Sequence, residues 1–273
     1  MADISYYWKN KSLRALQANQ HTEIMARQYP EEIEDSLLNS LIYSPTDTFF
    51  IDPVDKDIQI FLAAKDSVSA IFDYYDGKTA VLNFASYKNP GGGFLSGSRA
   101  QEESLCHSSF LYNVLSRFPT YYGWNQNHLN KSLYENRAIY SPRILFENEN
   151  GDTTYCDVIT CAAPNITPNR KYNLGVTDEE NLAALDSRIR FVLDIAAENQ
   201  VDTLILGAFG CGVFGQDAED VCRIFVKYLT SSHRCFKKVI FAIPNDVHSE
   251  NYDKFFKVLT EEKEKRKWET ITI

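Results

Sequence analysis

The chain of 273 residues carries 28 Lys and Arg against 37 Asp and Glu, a formal net charge of −9 at pH 7, and is 44% apolar. This length and apolar content suffice for the core of one large domain. Because a broad nucleic-acid surface needs clustered Lys and Arg, we expect no direct binding to duplex DNA. The acidic average leaves room for a small anion pocket made from backbone amides.

The six cysteines are scattered, and neither a Cys-x-x-Cys pair nor a histidine cluster at zinc spacing occurs. We therefore expect reduced thiols that pack as small apolar residues, and no metal site. The first residues show no signal-peptide pattern, and no apolar run approaches membrane-spanning length. We expect a monomer in the reducing cytoplasm with no membrane partner; export by a route that reads other signals stays open.

The spacing of apolar residues over 10–43 predicts two helices, which Pro30 separates. We expect residues 1–50 to form a helical extension packed on a single domain of residues 1–273. Beyond them, apolar runs of strand length alternate with helices, and this order predicts an α/β sandwich. The predicted strands are 58–63, 69–74, 79–85, 155–163, 203–206 and 238–243.

Three helices are predicted in the second half of the chain. Thr177-x-x-Glu180 is a capping box that opens a helix ending near Asn199. A second helix follows Gly215, and a third spans about 251–267. In such an order, ligands sit at the carboxyl ends of the strands.

A glycine-rich motif follows the predicted strand 79–85. It reads Asn89-Pro90-Gly91-Gly92-Gly93 and, after seven further residues, Gln101-Glu102-Glu103. Successive glycines let backbone amides approach a polyanionic ligand without an intervening side chain. Two adjacent carboxylates have the wrong sign for phosphate and instead indicate chemistry on a neutral part of the same ligand. An ordinary turn, followed by glutamates that complement a helix dipole, is the structural alternative.

A second glycine-rich segment, residues 207–215, follows the predicted strand 203–206 and precedes a helix. We expect its amides and the helix N-terminus together to hold a diphosphate. Its last six residues also fit Gly-x-Gly-x-x-Gly, but no acidic residue follows at the distance that a dinucleotide site requires. A nucleophilic role for Cys211 is rejected, because no His or Asp/Asn partner can be assigned to it.

The two motifs, in this order, resemble the signature of the microbial-type branch of poly(ADP-ribose) glycohydrolases. The resemblance extends over about positions 79–245 and includes the flanking 84–90 and 104–106. It implies a macrodomain-like three-layer α/β/α sandwich with a mixed central sheet and accessory N-terminal helices. It also implies hydrolysis of the ribose–ribose O-glycosidic bonds of poly(ADP-ribose), with release of ADP-ribose and without a metal or cofactor.

The resemblance also implies roles for individual residues. Glu103 would be the acid/base, protonated only in the closed complex, and Glu102 would position a ribose hydroxyl. Phe214 would pack against the ribose next to the scissile bond, and Asn89 is the preferred further ribose contact. The full set of predicted ligand-binding residues is Asn89, Gly91, Gly92, Gly93, Gln101, Gly210, Cys211, Gly212, Val213, Phe214 and Gly215.

Two other functions remain open from the sequence. One is removal of mono-ADP-ribose from modified protein or nucleic acid, which would present the same ligand to the same loops. The other is a non-catalytic module that binds ADP-ribose, and the intact pair of glutamates counts against it. In each case the expected partners are ADP-ribose and poly(ADP-ribose), free or on modified proteins. An aromatic-rich segment, 119–140, is predicted to be a loop that either packs or stacks on the ligand.

Overall fold

The computed structural model describes residues 10–51, 58–247, 249–266 and 271–272. Within them, eight strands form one sheet in the order β1-β4-β5-β3-β6-β7-β2-β8. The strands are β1 (Leu41–Tyr43), β2 (Gln59–Ala63), β3 (Thr79–Phe84), β4 (Ala138–Glu147), β5 (Thr153–Cys161), β6 (Thr203–Leu206), β7 (Lys238–Ala242) and β8 (Ile271–Thr272).

The sheet is mixed. From β5 through β3, β6, β7 and β2 to β8, neighbouring strands run parallel, whereas β4 is antiparallel to both β5 and β1. The predicted α/β architecture with a mixed sheet is confirmed. The parallel strands are nearly continuous in apolar residues because both of their faces are covered.

Ten helices accompany the sheet in the described part of the chain. They are α1 (Lys11–Gln28), α2 (Pro30–Asn39), α3 (Ser67–Tyr74), α4 (Gln101–His107), α5 (Leu111–Leu115), α6 (Pro119–Asn127), α7 (Thr167–Tyr172), α8 (Asp178–Glu198), α9 (Ala218–Leu229) and α10 (Asn251–Arg266). Two 3-10 turns occur at Phe94–Ser96 and Asn130–Ser132. None of these helices is long and apolar enough to span a lipid bilayer.

Two apolar cores lie on opposite faces of the sheet. Successive side chains of β3 alternate between them: Ala80 and Leu82 belong to the core with α8, α9 and α10, and Val81 belongs to the core with α1 to α6. This alternation follows from the two-residue repeat of a strand. The helices therefore form one layer on each side of the sheet.

Several sequence predictions are confirmed. Two N-terminal helices meet at Pro30, which is the first residue of α2. The capping box is formed, because Glu180 N donates to Thr177 Oγ1 at 3.1 Å and Thr177 N donates to Glu180 Oε2 at 2.8 Å. The helices after Gly215 and over the last part of the chain are present as α9 and α10.

Other predictions are wrong. Residues 69–74 form helix α3 instead of a strand, because Asp66 caps a helix there by accepting a hydrogen bond from Ser69 N at 3.0 Å. The segment 119–140 begins with helix α6 rather than a loop. Strands β1, β4 and β8 were not anticipated, and two of them are too short to leave a pattern.

A buried arginine joins α8 to the ends of other elements. Arg188 is 1% exposed. Its guanidinium donates to Asn136 Oδ1 at 2.8 Å, to the Leu133 carbonyl at 3.4 Å and to the Ala162 carbonyl. These contacts hold the segment 130–136 against the carboxyl end of β5. Four non-glycine residues of that segment have positive φ: Asn130, Lys131, Ser132 and Tyr134. Such backbone conformations are unfavourable on their own and persist only where surrounding contacts hold them.

Replacing Arg188 with Met should lower the free energy of unfolding by about 3 kcal/mol. The reason is that the buried oxygens to which the guanidinium now donates would lose their hydrogen bonds. Arg190→Met is the matched control, since that side chain on the same helix is 63% exposed. Urea unfolding measures both changes. Equal and small losses for the two variants would contradict the role given to Arg188.

Candidate active site

A cavity of about 810 Å³ opens at the carboxyl ends of the parallel strands. Its wall is built from residues that follow β2, β3, β6 and β7, the place where ligands bind in open α/β sheets. These residues include Asp66 after β2, Phe84 at the end of β3, Phe209 after β6 and Ile243 after β7. Both glycine-rich segments reach the cavity, so the structure brings together two motifs that lie more than 100 residues apart.

Glu102 lies at the start of α4 and is 3% exposed. Its Oε2 accepts a hydrogen bond from Ser86 N at 2.7 Å, and its Oε1 accepts one from Asn83 Nδ2 at 3.3 Å. Burial, and next the negative charge of Glu103, raise the pKa of the Glu102 carboxyl to about 8, although the bond from Ser86 acts in the opposite direction. Glu102 is therefore largely protonated at neutral pH.

Glu103 is 6% exposed, and its two oxygens have different surroundings. Oε1 accepts a hydrogen bond from Gly93 N at 2.8 Å. Oε2 is buried and receives no hydrogen bond from any residue that the structure describes. A buried carboxylate oxygen without a partner is rare in native proteins, and a catalytic role is one of the recognised reasons for it. One oxygen of Glu103 is thus held by the backbone, and the other has no hydrogen-bond partner among the described residues.

The glycines of the first motif make room for these carboxylates. Gly92 has φ +61°, and a Cβ there would lie 2.7 Å from Glu103 Oε1 and 2.8 Å from Glu102 Oε2. Its amide donates to the Asn89 carbonyl at 3.1 Å. The amides of Gly92 and Gly93 are both bonded within the protein, whereas the glycine pattern predicts amides that face a polyanion. The motif instead admits and holds the acids.

Gln101 connects α4 to β3. Its Oε1 accepts from Phe84 N at 2.8 Å, and its Nε2 donates to the Leu82 carbonyl at 2.8 Å and to Ser67 Oγ at 3.1 Å. The side chain lines the cavity, but its amide is hydrogen-bonded to the end of the strand. Gln101 thereby fixes where α4, and with it the two glutamates, begins.

Ten of the predicted site residues line the cavity. They are Asn89, Gly92, Gly93, Gln101, Glu102, Glu103, Gly210, Gly212, Val213 and Phe214. The structure places Gly91, Cys211 and Gly215 outside that lining. The α-carbon of Gly91 faces Tyr112 and Cys106, and that of Gly215 faces Thr167.

Cys211 is turned away from the cavity. Its thiol lies 3.8 Å from the Phe209 carbonyl, to which it donates. Burial raises the pKa of this thiol to about 12. A thiol in this state is not a nucleophile at neutral pH, which agrees with the rejection of that role from the sequence.

The second glycine-rich segment forms a chain of tight turns. Gly210 has φ +77°, and its carbonyl accepts from Gln216 N at 3.1 Å. No described residue accepts a hydrogen bond from the amides of Gly212, Val213 or Phe214. These three residues line the cavity, and successive backbone N–H groups without partners, here called the donor surface, are of the kind that binds phosphate.

The N-terminus of α9 does not contribute to this surface. Asp217 caps the helix by accepting from Glu219 N at 2.7 Å, and Lys254 Nζ pairs with Asp217 at 2.8 Å. The helix dipole already has a carboxylate at its positive end. Two amides of the N-terminus to which the sequence analysis assigned a diphosphate are therefore already bonded to Asp217.

Phe214 belongs to an aromatic layer. Its half-buried ring lies edge-on to Tyr134 at 6.1 Å between centroids, and Tyr134 stacks on Tyr87 at 4.1 Å. Both tyrosines are buried. The Tyr134 ring of the aromatic-rich segment is thus used in packing, and through it the segment supports Phe214.

Part of the cavity wall was not among the ligand-binding residues predicted from the sequence. This part includes Asp66, Val68, Phe84, Phe209 and Ile243. The rings of Phe84 and Phe209 lie 5.7 Å apart. The signal available in the sequence was position alone, since each of these residues lies at or shortly after the carboxyl end of a strand.

The fold and this site define an α/β enzyme of the glycosidase type, in which a buried carboxylate pair and the donor surface line one cavity. Residues 11–148, just over half of the chain, match the family described as microbial-type PARG, catalytic domain, where PARG is poly(ADP-ribose) glycohydrolase. The chain belongs to that family. The sequence-based recognition is therefore confirmed.

Solved structures support this membership. The poly(ADP-ribose) glycohydrolase of Thermomonospora curvata is 27% identical, with a TM-score of 0.81 over 90% of this chain and 98% of that one. A structure of the same enzyme bound to the inhibitor ADP-HPD is 28% identical, with a TM-score of 0.77 over 89% of this chain and 98% of that one. The Deinococcus radiodurans enzyme in complex with ADP-ribose is 28% identical, with a TM-score of 0.72 over 84% and 97% of the two chains.

No curated protein sequence matches the chain. The structural matches confirm the macrodomain-like fold that the resemblance implied.

The raised pKa of Glu102 should make stability fall with pH. A carboxyl whose pKa rises on folding, here from 4.5 to about 8, binds its proton more tightly in the folded state, so the free energy of unfolding falls as pH rises through that window. Between pH 5 and 8, wild type should lose about 3 kcal/mol relative to Glu102→Gln, which cannot titrate there. Urea unfolding at both pH values measures the difference.

Glu149→Gln is the control for this experiment, because Glu149 is exposed in the turn between β4 and β5. Its stability should follow that of wild type at both pH values. Parallel profiles for Glu102→Gln and wild type would show that Glu102 does not titrate in this range.

Proposed function

We propose that this chain hydrolyses the ribose–ribose O-glycosidic bonds of poly(ADP-ribose) and releases ADP-ribose. The observation that carries the proposal is the Glu103 carboxylate, with one oxygen fixed by the Gly93 amide and the other buried and unbonded at the cavity wall. A glycosidic bond needs one such group to supply a proton to the leaving oxygen and to take a proton from water. Membership of the glycohydrolase family supports the same reaction.

Glu103 acts as acid and then as base. In the closed complex with bound substrate, the Glu103 carboxyl carries a proton. As the anomeric carbon–oxygen bond breaks, it gives this proton to the departing ribose oxygen and an oxocarbenium-like state forms. The resulting carboxylate takes a proton from the attacking water, so the enzyme returns to its starting state. Glu102, largely protonated at neutral pH, donates a hydrogen bond to a ribose hydroxyl and avoids repulsion with its neighbour.

The diphosphate binds to the backbone of the second glycine-rich segment. The amides of Gly212, Val213 and Phe214 provide the donors. None of the described residues that line the cavity is Lys or Arg, so the anion depends on oriented N–H groups rather than on side-chain charge.

The adenosine end of the ligand contacts the part of the cavity wall that includes Val68 and Phe84, whose partly exposed apolar side chains suit a purine face. Asp66 offers a carboxylate to an exocyclic amine. At the other end, Phe214 packs on the ribose next to the scissile bond, and Asn89, exposed at the rim, bonds a ribose hydroxyl. A cavity of about 810 Å³ is in the range of small-molecule sites.

This reaction needs only positioning and one acid/base group, so we propose that no metal or cofactor takes part. We further propose that the chain acts as a monomer in the cytoplasm, as one catalytic domain that includes its N-terminal helices. Its substrates are poly(ADP-ribose) chains, free or attached to modified proteins, and duplex DNA is not a partner.

Glu103→Gln should reduce release of ADP-ribose from poly(ADP-ribosyl)ated protein by about 10² to 10⁴-fold, because the amide keeps the shape of the side chain but cannot transfer the proton. Chromatography of the released nucleotide measures the rate, and Glu149→Gln is the control with an exposed side chain. A mono-ADP-ribosylated protein is assayed in parallel. Release from that substrate alone would contradict the proposal and favour a mono-ADP-ribosyl hydrolase, and binding without any release would favour a non-catalytic module.

Gly92→Ala should reduce the same activity by at least about 100-fold, since the added Cβ displaces both carboxylates from their places. Gly123→Ala on α6 is the control, because a Cβ there meets no atom within 4 Å. Circular dichroism and thermal unfolding establish that both variants fold. Full activity in folded Gly92→Ala would show that the carboxylates tolerate displacement.

A further inference from the structure

The N-terminal helix α1 packs on the segment that joins the glycines to the glutamates. This connecting segment, residues 94–100, begins with the 3-10 turn Phe94–Ser96, which α1 contacts. At its centre Gly97 has φ +72°, and a Cβ there would overlap the Lys11 carbonyl oxygen and lie 2.9 Å from Ala15 N. The helix backbone thus lies directly on the connecting segment, with no room for a side chain between them.

Arg14 fixes this contact. It is 8% exposed, and its Nε donates to the Gly97 carbonyl at 2.8 Å. A guanidinium buried beside a backbone carbonyl is a strong and directional donor. Arg14 therefore sets the position of Gly97 relative to α1.

A short chain of hydrogen bonds leads from Gly97 to the acid. Gly97 N donates to the Phe94 carbonyl at 3.0 Å, and Ser98 N donates to the Gly93 carbonyl at 3.0 Å. Gly93 N in turn donates to Glu103 Oε1 at 2.8 Å. The connecting segment is thus folded back on Gly93, and its position determines where the Gly93 amide meets the carboxylate.

A second residue of α1 contacts the other end of the helix that carries Glu103. His21 Nε2 lies 2.8 Å from the Ser109 carbonyl, just beyond α4. The Phe94 ring lies edge-on to His21 at 6.4 Å and to His107 at 4.7 Å between centroids. Helix α1 therefore contacts the connecting segment and the end of α4 together.

We propose that Arg14 is a positioning residue for the reaction: through Gly97 it holds the Gly93 amide on Glu103 Oε1. The inference rests on the proposed role of Glu103. On this proposal the N-terminal extension contributes to catalysis, although the extension lies outside both glycine-rich motifs. Since displacement of a reacting group by about 1 Å costs roughly 100-fold in rate, a loosened Gly93 reduces turnover with little effect on how the ligand binds elsewhere in the cavity.

The test compares Arg14→Met with Arg27→Met. Met keeps the apolar stem and removes the donor, and Arg27 is the matched control on the same helix, 74% exposed and paired with Glu23 at 3.1 Å. We expect Arg14→Met to lower kcat for ADP-ribose release at least 10-fold with KM changed less than 2-fold. Hydrogen exchange should quicken in peptides over 93–98 only, and Arg27→Met should match wild type in all respects.

Three results would overturn the inference: an unchanged kcat in Arg14→Met, exchange over 93–98 as slow as in wild type, or loss of protection throughout the chain with kcat and KM impaired together. The last result would mean that Arg14 only stabilises the fold. If Arg14→Met does not accumulate as folded protein, Arg14→Lys, which keeps the cation and lacks Nε–H, is judged by the same results. No release by wild type would count against the proposed function alone, and the exchange data would still decide whether Arg14 holds Gly93.

Discussion

Two adjacent carboxylates buried at the start of one short helix are the constraint on which this end of the protein depends. Burial of a carboxyl group is unfavourable unless the group is neutralised by a proton or its oxygens are hydrogen-bonded. Glu102 meets that condition through its raised pKa and the Ser86 amide, and Glu103 through the Gly93 amide. Other features hold the two carboxylates in place. Gly92 has no side chain that would displace them, Gln101 bonds the start of α4 to β3, and α1 packs on the connecting segment.

The sequence predicted which residues form the site better than it predicted how those residues are hydrogen-bonded. The three glycines that precede Gln101-Glu102-Glu103 by seven residues identified the site. Their pattern predicts amides that bind a polyanion, but two of these amides are bonded within the protein. Residue types alone do not reveal which acceptor an amide meets. The same limit applies to α9, where Asp217 occupies a helix end that sequence reasoning gave to a diphosphate.

For the fold, sequence patterns were sufficient where they were long. The parallel strands other than β8, and helices α8 to α10, followed from apolar runs and one capping box. Residues 69–74 were assigned to a strand because a short apolar run fits either structure. The cap made by Asp66 decided that case. The part of the cavity wall that includes Val68 and Ile243 is made of residues distant in sequence, and so is the contact of Arg14 with Gly97. Neither leaves a local pattern in the sequence.

Direct pairing of β3 with β6 has a consequence for how the protein acquires its activity during folding. The carboxylates follow β3 and the donor surface follows β6, so the register between these two strands sets the spacing between the two halves of the site. Parallel pairing between segments so far apart in sequence requires closure of a long loop, which is slow. A nascent chain that has not yet added β6 has the two acids without the donor surface, so catalytic competence requires that β6 has joined the sheet.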